Sequence, residues 1–142
     1  MHRKLIVFIF FILPVGLLAQ KNIVDSLYQV LDKEKTDTNR INLMCDIGYE
    51  SRVFDPEKAL IITNEALSLA NRKKYAKGQS RALGVMATIF SKLGNYPRAL
   101  EFNLQRLKLV EKTNDKESLA GVLINIAAVY VYQEEYAKAL NY

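Results

Sequence analysis

Histidine is almost missing from this chain: the only one is His2, so nothing downstream can supply an imidazole. That excludes Ser-His-Asp and Cys-His arrangements and any histidine-ligated zinc site in the body of the protein. Cysteine is equally scarce, and the lone Cys45 cannot close an internal disulfide, so the fold must be held by burial alone. It sits in an apolar helical pattern and reads as a small core residue, with an intermolecular bridge as the alternative. Gly78, Gly84 and Gly121 stand singly, which excludes a glycine-rich phosphate loop. The carboxylates of "DKEKTDTNR" at 32–40 lack the alternating ligand spacing of a calcium loop and read as a solvated linker. Glu134 and Glu135 are adjacent, and adjacent residues on a helix do not face one another. The chain is therefore expected to have no catalytic residue, no cofactor and no metal, and to be no enzyme.

Strong charge of one sign is also lacking. The formal net charge is +5, and setting aside residues 1–19 with Arg3 and Lys4 leaves eighteen basic side chains against fifteen acidic ones. That balance is too mild to suggest a nucleic-acid partner. One basic run, "NRKKYAKG" with Arg72, Lys73, Lys74 and Lys77, falls where two helices should join. It reads as a solvated turn with cations near a helix C-terminus, the alternative being an anion or membrane-surface patch.

Long apolar runs are confined to the N-terminus. "MHRK" followed by "LIVFIFFILPVGLLA" and ending on Ala19 has the pattern of a secretory signal peptide. A membrane anchor needs about 20 apolar residues, and this run is shorter and broken by Pro14 and Gly16. Cleavage after Ala19 is expected, which makes the protein exported, periplasmic or extracytoplasmic, with no direct membrane insertion once cleaved. No cysteine follows the run to carry a lipid.

What is present is helical. Beyond Val24 the chain alternates amphipathic stretches with short polar breaks, and no period-two strand pattern appears. Helices are expected over 23–34, 38–53, 56–72, 77–93, 96–112, 116–133 and from 136 onward. Asp55, Asn95 and Asp115 can each cap a helix with a side-chain oxygen, the last within the polar break Thr113, Asn114, Asp115. Pro56 and Pro97 fall in first turns, where a missing N–H costs nothing, and Gly94 falls where a helix end favours a left-handed residue.

The text also repeats. "DPEKAL" at 55–60, "NYPRAL" at 95–100 and "EYAKAL" at 135–140 place Ala59, Ala99 and Ala139 beside Leu60, Leu100 and Leu140 at a period of forty. Leu67 and Leu69 correspond to Leu107 and Leu109; Leu83, Ala87 and Phe90 correspond to Leu123, Ala127 and Tyr130. A small residue in each of two adjacent helices lets their backbones approach, while larger neighbours fill the space beside the contact. Such a pair cannot cover its own apolar surface and must stack on the next.

These residues resemble the tetratricopeptide repeat family. Leu83, Met86, Ala87, Phe90, Tyr96 and Ala99 in one unit, and Leu123, Ile126, Ala127, Tyr130, Tyr136 and Ala139 in the next, match the family pattern in order. In the first unit a shift of one residue aligns Met44, Ile47, Gly48 and Ser51 and leaves Glu50 facing water. HEAT-type repeats, with a period of 40–47, are the structural alternative. The resemblance implies an all-α, right-handed superhelical array of antiparallel helix pairs, organised as a short helix and linker over 20–37 and units at 38–75, 76–114 and 115–142, the last incomplete. It further implies a concave groove that binds a protein or peptide, lined by Arg81, Gly84, Thr88 and Ser91 and by Gly121, Ile124, Ala128 and Val131, with Tyr132 at its border. Ile124 and Val131 are equally consistent with packing on a further unit. The small, neutral lining points to an apolar helix or hydrophobic segment as occupant. The last unit lacks a polar cap, so the chain is expected to be a fragment of a longer protein, and self-association through that end is a further expectation. An export signal ahead of such units resembles the extracytoplasmic input portion of bacterial sensor histidine kinases and regulators; a free-standing exported adaptor or scaffold is the alternative.

Overall fold

A computed structural model describes residues 20–113 and 115–142. The expected signal peptide, its cleavage point after Ala19, and Asn114 lie outside these residues. Within them the chain is all-α, with no strand. Helix α1 spans residues 20–33, α2 Asp37–Ser51, α3 Pro56–Arg72, α4 Ala76–Lys92, α5 Tyr96–Val110, α6 Lys116–Tyr132 and α7 Tyr136–Ala139.

Local chemistry sets these ends. The side chains of Asp55, Asn95 and Asp115 accept from the backbone N–H of Lys58 (3.2 Å), Arg98 (3.3 Å) and Ser118 (3.0 Å), satisfying donors that a helix N-terminus leaves orphaned. Three C-termini close in the same way. The N–H of Tyr75, Asn95 and Glu135 donates, each at 2.9 Å, to the carbonyl of Ala70, Phe90 and Tyr130, around left-handed residues Lys74, Gly94 and Glu134.

Sequential helices pack as hairpins, α2 on α3, α4 on α5 and α6 on α7, and α3 and α5 also lie against α4 and α6 respectively. Ala59 and Ala99 are fully buried at their hairpin contacts, whereas Ala139 in the short α7 is half-buried. Met44, Ile47, Gly48 and Ser51 are all buried and Glu50 is half-exposed, in line with the shifted register of the first unit. Gly48 lets α2 and α3 approach closely: a Cβ there would stand 2.0 Å from Thr63 Oγ1.

The main core is built from α1 to α4, with Ile41, Cys45, Ile47, Ala66, Ala70 and Ile89 among its buried members. Val24 and Leu31 of α1 belong to it, so this helix is part of the same packed body. The break between α1 and α2 is residues 34–36, inside the stretch 32–40 read as a linker and close to where the expected helices 23–34 and 38–53 leave a gap. Arg40 ties it down by donating through Nη1 to the carbonyls of Leu31 and Glu34, both at 3.0 Å, which satisfies the end of α1. A second, smaller core joins α5 to α6 through Val110, Val122 and Ile126. Phe90 stacks on Phe102 with ring centroids 5.5 Å apart, and Tyr96 stacks on Tyr132 at 5.8 Å, extending the packing from α4 across α5 to α6.

Candidate functional site

The forty-residue period puts α2, α4 and α6 in equivalent roles, yet their spacing differs. Helix α2 packs directly on α4, whereas α4 and α6 scarcely touch, each resting on α5 instead. The consequence is a trough with α4 and α6 as walls and α5 as floor. It divides into two clefts of about 290 and 310 Å³. Thr88 and Ser91 of α4, Asn103 of α5, and Asn125, Ala128 and Tyr132 of α6 line the first. Ser80 and Arg81 of α4, Arg106 of α5 and Ser118 of α6 are prominent in the second.

Two floor residues, one helical turn apart on α5, distinguish the trough. Asn103 is only 1% exposed, and its Oδ1 has no hydrogen-bond partner among the described residues. A buried acceptor left unmade is costly. Arg106 extends between the two walls: a Cβ on Gly84 would lie 3.1 Å from its Nη1, and one on Gly121 4.0 Å from its Nη2. Its Nε donates to Ser80 Oγ at 3.2 Å, and no carboxylate of the described residues lies within ion-pair distance. Desolvation by burial pulls this guanidinium below the ordinary arginine range, with Asp115 pulling weakly the other way. Asp115 is itself held low, first by the N–H of Ser118 and then by its hydroxyl.

Of the residues expected to line the groove, Thr88, Ser91, Ala128 and Tyr132 come together in the first cleft. Thr88 Oγ1 donates to the Gly84 carbonyl of its own helix at 3.0 Å. Arg81 stands at the second cleft but is engaged with Asp46 of α2 at 2.5 Å. Ile124 and Val131 line neither cleft and are 67% and 47% exposed. The packing residues Leu83, Ala87 and Ala99 are buried, while Phe90, Leu123, Ala127, Tyr130 and Ala139 are partly so. In the basic run, Lys73 pairs with Asp37 at 2.6 Å, Arg72 donates to Ser68 Oγ at 2.8 Å, and Lys77 borders the second cleft.

Asn103, Arg106 and Asn125 are among the lining residues that the family pattern did not supply, with Ser80 and Ser118. The signal for the first two lies in the repeat itself, since forty residues earlier their counterparts are Thr63 and Ala66. Thr63 Oγ1 donates to the Ala59 carbonyl at 2.7 Å and Ala66 is fully buried, so that level of the stack has neither an orphan acceptor nor a cation. No protein-family model and no curated protein compared with the chain matches it.

Proposed function

We propose that this chain is a protein-interaction module, a right-handed array of the tetratricopeptide type that holds a peptide in the trough between α4 and α6. The observation that carries the reading is the separation of those two helices over a floor bearing an unmet buried acceptor, where the equivalent pair α2 and α4 is closed. A polar floor flanked by Thr88, Ser91 and Asn125 suits an extended main chain better than the apolar helix expected from residue type, because each peptide group presents both a donor and an acceptor. The helical-repeat surface following an export-type N-terminus supports a role as the extracytoplasmic input part of a bacterial signalling protein. A free-standing exported adaptor would use the same surface.

The reading is tested by titrating the full chain with end-capped peptide pools and following backbone amide shifts. Perturbations concentrated at Thr88, Ser91, Asn103, Asn125 and Ala128, and lost in Thr88→Trp, which fills the first cleft, are expected. Shifts confined to α1 to α3, or unchanged in that variant, would overturn it.

A further inference from the structure

The two floor residues specify more than a peptide. We infer that the trough selects an extended segment with an acidic side chain at its centre, the carboxylate meeting Arg106 and a neighbouring main-chain N–H donating to Asn103 Oδ1. This rests on the trough reading and names its occupant.

Three observations converge on that chemistry. First, Arg106 is a half-buried cation without a carboxylate, and a guanidinium taken from water calls for an anion able to accept two parallel hydrogen bonds. Its Nη atoms lie against Gly84 and near Gly121, where the missing Cβ atoms make room for the guanidinium itself between the two walls. Second, the cations bordering the second cleft are Lys77, Arg81 and Arg106; Asp46 neutralises Arg81 and Asp115 is the opposing carboxylate, while Lys92 borders the first cleft. The trough as a whole is therefore positive. Third, Asn103 and Arg106 are about 4.5 Å apart along the helix axis, comparable to the rise of one residue in an extended strand, about 3.3 Å. A single peptide can satisfy both within one or two residues.

The position of Arg106 argues for a side-chain carboxylate over a chain terminus. It lines the second cleft and reaches Gly84 and Gly121, which on α4 and α6 fall between the residues of the two clefts, so an occupant reaching it has lining ahead and behind, from Ser80 and Ser118 on one side to Ser91 and Tyr132 on the other. A terminal carboxylate would leave one cleft empty. The repeat supplies an internal control: with alanine and threonine at the equivalent positions, the α2 and α4 pair has no such requirement and is closed.

The test uses the full chain and fluorescent, end-capped decapeptide pools with Glu, Gln or Lys fixed at the centre, read by anisotropy. Stronger binding of the Glu pool than of the other two, by about tenfold, and weakening by salt are expected. Arg106→Gln should make the Glu and Gln pools equal. Arg106→Lys keeps the charge and loses the planar fork, so it should retain part of the preference. Asn103→Leu should weaken every pool alike, by about tenfold, and leave the preference for Glu intact. Equal binding of the Glu and Gln pools to the wild-type chain, abolished by Thr88→Trp, would overturn the acidic assignment and leave the trough standing. Binding only by pools with a free C-terminus would replace the side chain with a terminal carboxylate and overturn it too. No binding by any pool, or binding untouched by Thr88→Trp, would remove the trough and the inference together.

Discussion

Helices α2 to α7 are built from one repeated text, but only the α1–α4 half is closed and the α4–α7 half is open. In the first, Thr63 satisfies itself on the Ala59 carbonyl, Ala66 leaves no bulk, Gly48 admits α3 to contact, and a continuous core runs from Val24 to Ile89. In the second, Asn103 and Arg106 replace Thr63 and Ala66, the core between α5 and α6 shrinks to Val110, Val122 and Ile126 with their neighbours, and α6 stands off from α4. A repeat protein obtains stiffness from units that stack fully and a binding surface from a unit that does not. The difference is carried by two side chains on one helix face, and under the proposed function the closed half serves stability and the open half recognition.

Exchanging those side chains should disturb the two halves most unequally. Ala66→Arg forces a guanidinium into a site with no anion, and an unpaired buried charge costs about 3–5 kcal/mol. The reverse change, Arg106→Ala, removes a partly desolvated cation from the open half and should alter stability by no more than about 1 kcal/mol. Urea unfolding of the two variants measures both. Equal losses would show that the two levels of the stack are energetically alike, and the division into closed and open halves would fail.

How far the sequence discloses this division depends on the kind of residue. Helix ends are legible because caps and left-handed turns are local chemistry: Asp55, Asn95, Asp115 and Gly94 act where their types place them. The small-residue contacts at Ala59 and Ala99 are legible from the period. The trough floor is not, because Asn103 and Arg106 fall in an amphipathic pattern where polar residues normally face solvent, and only their burial shows otherwise. Ile124 and Val131 are legible only as apolar: they line neither cleft, and their faces of α6 meet nothing among the described residues that covers them. Helix α7 ends at Ala139, and Leu140, in the place of the half-buried Leu100, is 88% exposed.

A milder probe of the closed half is its single thiol. Burial pushes Cys45 from the ordinary 9.0 up to about 12, against a smaller lowering by Arg81 and with a slight further rise from Asp46. The folded state thus holds this proton more tightly than the unfolded chain does. The resulting stability is fully present below pH 9 and is lost as pH rises from 9 towards 12, at about 1.4 kcal/mol per pH unit. Cys45→Ala should flatten that part of the curve. A wild-type profile superimposable on the variant's above pH 9 would mean that α2 opens readily enough to hydrate the thiol, and the first half could no longer be called closed.

A milder change still lies at the turns after α4 and α6, where the backbone repeats. Gly94 and Glu134 occupy equivalent turns after α4 and α6, with φ of 71° and 61°. A glycine adopts that region freely, whereas a residue with a Cβ loses about 1 kcal/mol there. Glu134→Gly should therefore stabilise the turn into α7, though by less than 1 kcal/mol because glycine also gains freedom in the unfolded chain. Hydrogen exchange reads this locally: slower exchange of the Glu135 N–H, which donates to Tyr130, is expected, with α1 to α3 unchanged. Slowing that spread into α1 to α3 would mean the halves open as one unit. The weak stacking of α6 on α4 would then have to be compensated through α5, and the open half would be as rigid as the closed one.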